Sequence, residues 1–258
     1  MTERSSRVVA AAKLHRHLAR ERTGRFLVEG PNLVEAALRV GVVRELFVTD
    51  SAMQRLGAVL GDAGVPVHRV TDRAAKALSD TVTPVGLVAV CERHTRTLDD
   101  VLFRRPRLVT VALGVSEPGN AGTLIRLADA MGADAVVLAG HSVDPYNAKC
   151  LRASAGSVFA VPVVIAPDGA DAVARLARAG LQVLATVIDG ETDLDDAQPI
   201  LSRPTAWLFG AEAHGLPDDV TELAAHRVRI PMAGHADSLN VAAAAAICLY
   251  QSFRAQRR

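Results

Sequence analysis

From Leu108 onward one pattern recurs along the chain. Short apolar runs ("LVTVALGV", "ADAVVLAG", "FAVPVVIA", "LQVLATVI", "PTAWLFG") alternate with segments of helical period such as "NAGTLIRLADAMG" and "DGADAVARLARAG". Strands that alternate with helices of this length imply a mainly parallel sheet covered on both faces, hence an α/β fold. The pattern closes with a helix in "DDVTELAAH", a strand in "VRIPM" and a helix made largely of alanine after Asn240. Two stretches stand outside the alternation: a polar excursion, "HSVDPYNAKCLRASAGS", and a loop, "ETDLDDAQPILS".

The amino-terminal part reads as a smaller α/β unit of its own. A strand over Phe26 to Val28 leads through a turn at Gly30 and Pro31 into a helix from Asn32 to Val40, then a strand from Leu46 to Val48. Pro31 suits the first turn of a helix, where its missing N–H is not needed. Helices in "SAMQRLGAVLGDAGV" and "DRAAKALSD" and strands in "PVHRV" and "VGLVAVCE" complete the unit near Arg93. The polar connector that follows sets the expected boundaries: a first domain over 1–96, a linker over 97–106 and a second domain over 107–258.

Composition limits the function classes. With 50% hydrophobic and 22% charged residues the 258-residue chain is an ordinary globular sequence. Aromatics at 3% argue against a platform of Phe and Tyr on which nucleic-acid bases stack. The cysteines Cys91, Cys150 and Cys248 form no CxxC pair, so neither zinc nor disulfides are expected. No signal-like or membrane-spanning run is present, which predicts a cytoplasmic protein without membrane contact. Net charge is +1, yet Arg4, Arg7, Lys13, Arg16, Arg20, Arg22 and Arg25 crowd the opening segment. Such an arm is either a solvated helix face or a nucleic-acid contact.

Three Gly-containing loops at strand ends carry the candidate chemistry. In "GVSEPGNAGTLIRLADAMGA" a strand runs through a Gly-Asn-Ala-Gly turn into a helix, an arrangement that aims backbone N–H groups at a ligand. Gly119 and Gly122 do not make GxGxxG, and the next strand ends "VVLAG" with no acidic residue placed for a ribose, so a nicotinamide cofactor is disfavoured. Arg126, amid Leu124, Ile125 and Leu127, is either a solvated residue or a guanidinium placed to grip phosphate. In "WLFGAEAHGLP", Gly210 lets a ligand approach the backbone and Glu212 sits at a strand end, while His214 reads as a surface or capping residue. In "RIPMAGHADSLN", Ile230, Pro231 and Met232 end a strand, Gly234 allows a turn, and Ser238 or Asn240 caps the alanine helix. Convergence of the loops near Gly119, Gly210 and Met232 would build a cofactor pocket.

The motifs "NAGTLIR", "LFGAEAHGLP" and "IPMAGHADSLNVAAAAA" resemble, in order, those of the SpoU (TrmH-like) RNA ribose 2'-O-methyltransferases of the SPOUT superfamily. "NAKCLRASAGSVFAVPV" is similar to that family's intervening segment, and "RFLVEGPNLVEAAL" to the L30e-like substrate-binding domain many members carry. The resemblance implies a trefoil-knotted second domain, S-adenosylmethionine as cofactor, and a homodimer through the C-terminal domain, without a metal. It assigns cofactor binding to Thr186, Gly210, Ile230, Met232 and Leu239, and catalysis to Asn120, Arg126, Glu212, Ser238 and Asn240. Ala211 departs from the asparagine many members have.

The overall pattern is nearest the thiostrepton-resistance type acting on 23S ribosomal RNA, which brings antibiotic resistance in as one implication. RNA contacts then fall to Arg16, Arg25 and, in the second domain, Arg152. A tRNA-directed enzyme and a non-catalytic RNA- or ribosome-binding protein of the same fold are the rival readings. Because a guanidinium stays protonated, the expected role of Arg126 is to anchor a phosphate and polarise the ribose hydroxyl rather than to remove its proton.

Overall fold

The computed structural model describes residues 1–60, 64–211 and 214–257. Its contacts group into two units, Met1–His94 with Tyr146–Phe159, and Thr95–Pro145 with Ala160–Arg258.

The first unit opens with helices α1 (Ser6–Ala12) and α2 (His17–Thr23) and continues through β1 (Arg25–Glu29), α3 (Pro31–Arg39), β2 (Val43–Val48), α4 (Asp50–Leu60), β3 (Val67–Arg69), α5 (Asp72–Leu78) and β4 (Leu87–Glu92). The strands order as β1-β4-β2-β3. β4 is antiparallel to both its neighbours and only β2 with β3 is parallel, so the parallel pattern does not extend to this sheet. Alternate side chains serve two cores. Phe26, Val28, Leu46, Val48, Leu87, Ala89 and Cys91 enter one, and Leu27, Phe47, Val88 and Val90 the other.

The basic amino-terminal segment belongs to that second core, where Val8, Ala11 and Leu14 are buried. Arg20 is 95% buried in effect, being only 5% exposed, and donates to the carbonyls of Leu14 and His15 at 3.0 and 2.9 Å. It is a structural residue, whereas Arg16 and Arg25 are exposed.

The expected polar excursion is where sequence and structure part. Asn147 caps a helix, α8 (Ala148–Ser154), by accepting from the Lys149 N–H. Tyr146 lies 4.5 Å from the Phe26 ring, centroid to centroid, and Leu151 is buried in the same core. Arg152, expected in the second domain, therefore sits in the first unit and pairs with Asp80 at 3.4 Å. The apolar residues Tyr146, Leu151 and Phe159 are spread among polar ones, which hides the segment's core contribution in the sequence.

The second unit begins at α6 (Leu98–Phe103), inside the expected linker; Leu98 and Val101 are core residues of this unit. There follow β5 (Leu108–Leu113), α7 (Pro118–Ala130), β6 (Ala135–Ala139), β7 (Val163–Ala166), α9 (Gly169–Arg178), β8 (Gln182–Thr186), β9 (Thr192–Asp193), α10 (Gln198–Leu201), β10 (Thr205–Phe209), α11 (Asp218–Thr221), β11 (His226–Arg229) and α12 (Val241–Gln256). The seven strands order as β7-β6-β5-β10-β8-β11-β9, and the pairings are parallel throughout. β9 and α10 lie in the stretch expected to be a loop. The last strand stops at Arg229, short of the expected Met232, since Pro231 has no N–H to offer a ladder.

One face of this sheet packs under α6, α9 and α11 through Val109, Val111, Val137, Val183, Ala206 and Leu208. The other carries α7 and α12, which touch each other. Ala242, Ala245, Cys248, Leu249, Ser252 and Ala255, small but for the leucine, form the buried stripe of α12 at helical spacing. Within it, the buried Trp207 Nε1 donates to Ser252 Oγ at 2.8 Å and ties α12 to the central strand.

Candidate cofactor site

Three strands that are neighbours in the sheet, β10, β8 and β11, end side by side, and a cavity of about 570 Å³ opens at their carboxyl ends. Open parallel sheets bind ligands at such ends, and the volume lies within the range of small-molecule sites. Thr186, Val187 and Ile188 continue β8 into the cavity, Phe209, Gly210 and Ala211 continue β10, and Ile230 and Met232 follow β11. Ser238, Leu239 and Asn240 with Val241 and Ala244 of α12 supply the remaining wall.

Asn240, not Ser238, caps α12. Its Oδ1 accepts from the N–H groups of Ala242 and Ala243 at 2.9 and 3.4 Å, and its Nδ2 donates to Asn120 Oδ1 at 3.3 Å. One asparagine thus starts α12, borders the cavity and links to the first turn of α7. Ile188, Met232 and Leu239 are 68%, 39% and 36% exposed, an apolar rim that a ligand would cover. Thr186 Oγ1 is buried beside the Cys248 thiol with no hydrogen-bond partner of ordinary geometry among the described residues. Burial pushes that thiol up to about 12, with the Thr186 hydroxyl opposing, so Cys248 is a neutral packing residue of α12.

Gly210 has a different cause from the one its motif suggests. A Cβ there would lie 2.2 Å from the Gly215 carbonyl carbon and 2.5 Å from the Leu216 nitrogen. The loop folds back on itself, with the Gly215 N–H donating to the Ala211 carbonyl at 2.8 Å. The glycine is required by its own loop before any ligand arrives. Glu212 lies outside the described residues. His214 is an exposed cavity residue, and Gly234 stands in an exposed stretch away from any contact that a side chain would meet.

Of the expected residues, Thr186, Gly210, Ile230, Met232, Ser238, Leu239 and Asn240 line one cavity, and Asn120 joins them through Asn240. Gly119, expected to converge with them, is not part of the lining, and neither is Arg126. Arg126 is exposed on α7, six residues beyond Asn120, or about 9 Å along the axis and roughly 120° around it.

A set of charges went unread in the sequence. The segment after β8 is tied to β11 by Arg227 with Asp189 at 2.7 Å and by Arg229 with both oxygens of Asp193 at 2.6 and 2.9 Å. The Arg227 N–H also donates to Glu191 at 3.1 Å. A Cβ on Gly190 would stand 2.7 Å from the Arg229 nitrogen, so the acidic loop lies flat on the strand. These pairs hold the wall that carries Val187 and Ile188. The alternation of "HRVR" against "DGETD" was the available signal.

Comparison with known proteins places this geometry. A family model described as the SpoU rRNA methylase family matches residues 107–250, and a second, the MRM3-like substrate binding domain, matches residues 5–89. The chain belongs to the SpoU rRNA methylase family. This SpoU methylase is 36% identical over 92% of its length to the 23S rRNA (guanosine(2553)-2'-O)-methyltransferase RlmP of Bacillus subtilis, covering 92% of that protein. It is 33% identical over 91% of its length to the 23S rRNA (uridine(2479)-2'-O)-methyltransferase of Streptomyces viridochromogenes, covering 84% of it. Among solved structures, the SpoU methyltransferase AviRb from that organism in complex with AdoMet superposes with a TM-score of 0.86 at 32% identity, over 98% of this chain and 99% of that one. An AdoMet-bound rRNA methyltransferase from Sinorhizobium meliloti gives 0.84 at 32% identity, over 97% of this chain and 95% of that one.

Two outcomes are expected from this site. Gly210→Ala should lower stability to urea by about 1–3 kcal/mol, as overpacking does, and weaken cofactor affinity by calorimetry; unchanged stability would return the glycine to a role in ligand approach alone. The second concerns acid. Hydrogen bonds from Arg227 and Arg229 hold Asp189 and Asp193 below the usual carboxylate range, and the Arg227 backbone N–H does the same for Glu191. Their stabilisation is complete above the unfolded carboxylate pKa of about 4 and is lost as pH falls through the lower folded values. Melting temperature should drop across that acidic window, and Asp193→Asn should make the drop shallower.

Proposed function

We propose that this SpoU methylase modifies a ribose 2'-hydroxyl of 23S ribosomal RNA. The enzyme class, an RNA ribose 2'-O-methyltransferase with S-adenosylmethionine as cofactor, follows from family membership and from AdoMet-bound relatives alike over nearly the whole chain. The 23S assignment is supported by full-length similarity to methyltransferases named for that RNA. The observation that carries the reading is the cavity at the carboxyl ends of β8, β10 and β11.

The residues present suit the cofactor. Exposed apolar side chains of Ile188, Met232 and Leu239, strand-end backbone at Gly210 and Ile230, and the Thr186 hydroxyl beside Cys248 combine apolar surface with a few polar groups. S-adenosylmethionine, when bound, supplies an electrophilic methyl group on a sulfonium. Ser238 and Asn240 form the polar edge of the cavity, and Asn120 fixes the Asn240 side chain that starts α12. Arg126 makes no ion pair among the described residues and keeps its guanidinium available. We assign it to the substrate phosphate next to the target ribose, where a fork-shaped cation can orient the hydroxyl.

The reading includes a homodimer through the second unit, with the chain of that unit knotted as the family resemblance implies. Supporting the dimer, Ile247 and Tyr250 lie 39% and 48% exposed on α12, close in sequence to the half-exposed Leu239 at its start. Arg126, standing outside the cavity of its own chain, suits a site completed across two copies. Arg16, Arg25 and Arg152 supply phosphate contacts on the first unit, Arg152 while paired with Asp80.

Arg126→Ala should reduce single-turnover methylation of unmodified 23S RNA by about 10²-fold or more while leaving S-adenosylmethionine affinity within about twofold by calorimetry; near-normal methylation would remove Arg126 from the site. Tyr250→Glu should shift the protein from dimer to monomer in sedimentation velocity, and an unchanged dimer would place the interface elsewhere.

A further inference from the structure

The second unit has another cavity, of about 260 Å³, at the amino-terminal ends of the strands and therefore on the side of the sheet away from the cofactor site. It is lined by Arg96, Asp100 and Arg104 from the α6 region and by Asp129, Ala133 and Asp134 before β6, with Ala160 to Pro162 before β7. The size is below the usual range for a whole small-molecule ligand and suits a single ring system.

Charge in and around it is dense and mixed in sign. Asp100 closes a capping box and stays an anion, accepting from the Thr97 N–H and Oγ at 2.9 and 2.8 Å. Asp99 is paired with Arg175. Asp134 accepts from the N–H groups of Arg107 and Leu108 at 2.7 and 3.0 Å. Arg96, Arg104 and Arg105 make no ion pair among the described residues, but the Asp100 carboxyl is held below the usual carboxylate range by its Thr97 hydrogen bonds and, after them, by Arg96 and Arg104, so the corner sets three guanidiniums against the carboxylates of Asp100, Asp129 and Asp134.

Two further observations mark the same corner. Phe103 is 90% exposed, although Phe26, Phe47 and Phe209 are buried and aromatics make up 3% of the chain. Arg105 stands at φ 53°, the left-handed conformation that follows a helix and that glycine normally fills. The chain holds an arginine there against a backbone preference of about 1 kcal/mol. A helix end that shows an aromatic face flanked by unpaired guanidiniums is suited to unpaired nucleotides, whose bases stack on aromatics while arginines take the phosphates.

We propose that Phe103 with Arg96, Arg104 and Arg105 forms a second RNA contact, remote from the cofactor site, that holds a single-stranded segment of the substrate. One base stacks on Phe103, and its neighbour's edge meets the mixed guanidinium and carboxylate lining of the cavity. The inference rests on the reading of this protein as an RNA methyltransferase. It does not contradict the scarcity of aromatics, which excludes a platform but not a single stacking residue.

The test uses the full-length protein and a labelled, unstructured RNA of about 12 nucleotides, a length matched to single-strand sites, with affinity read by fluorescence anisotropy over a range of salt. Phe103→Ala and Phe103→Leu should each weaken binding about tenfold, and Phe103→Trp should keep it. Arg105→Gly should weaken binding and lower the log–log salt slope by about 0.7, while its melting temperature stays level or rises because glycine relieves the backbone. Wild-type affinity in Phe103→Leu and Arg105→Gly, as a protein-docking role for this corner would give, overturns the proposal. So does a wild-type protein without affinity for the RNA; if that protein still methylates ribosomal RNA, only this contact falls, and if it does not, the RNA reading falls with it.

Discussion

The position of β10 governs the second unit. It enters late in the sequence yet lies between β5 and β8, so both its edges are paired and both its faces buried. A strand so placed leaves no backbone group to water except at its ends, and those ends must turn sharply. At the carboxyl end the turn is the Gly210 loop, closed on Gly215 so tightly that a methyl group has no room. On one face Trp207 reaches Ser252 and sets where α12 lies. Cavity floor, loop and helix wall all follow from that one insertion.

The cavity is built by backbone more than by reactive side chains. Three parallel strands stop at one level, and what projects is carbonyl and amide groups with a rim of Ile188, Met232 and Leu239. The charged residues nearby serve architecture: Arg227 and Arg229 are spent on Asp189, Glu191 and Asp193, which pins the β8 wall to β11. Arg126 makes no ion pair among the described residues, is exposed, and lies on a different face of α7 from Asn120. That division suits an enzyme in which holding the cofactor and meeting the substrate fall to separate surfaces.

Charge placement also separates two kinds of arginine that look alike in the sequence. Arg20 in the opening arm is buried on backbone carbonyls, while Arg16 beside it is exposed. The arm is a pair of helices whose Val8, Ala11 and Leu14 complete a core. Removing it would test folding rather than RNA binding, so its contribution is better read from single exposed arginines.

The sequence by itself determined the α/β class, the alternation of the longer strands and helices in the second unit though not α6, β9 or α10, and several residues around the cavity at the strand ends, because continuous apolar runs and Gly-bearing strand ends are local signals. Thr186, Gly210, Ile230, Met232, Ser238, Leu239 and Asn240 were all readable in that way or through the resemblance those motifs carry. Only the tertiary structure decided that Tyr146 to Phe159 belongs to the first unit, that the first sheet is mixed, that Asn240 rather than Ser238 caps α12, and that Gly210 answers to Gly215. It also decided that Gly119 and Arg126 stand outside the cavity. Each of these depends on which distant segments meet, and periodicity, which reports only how a segment relates to its own axis, carries no information about that.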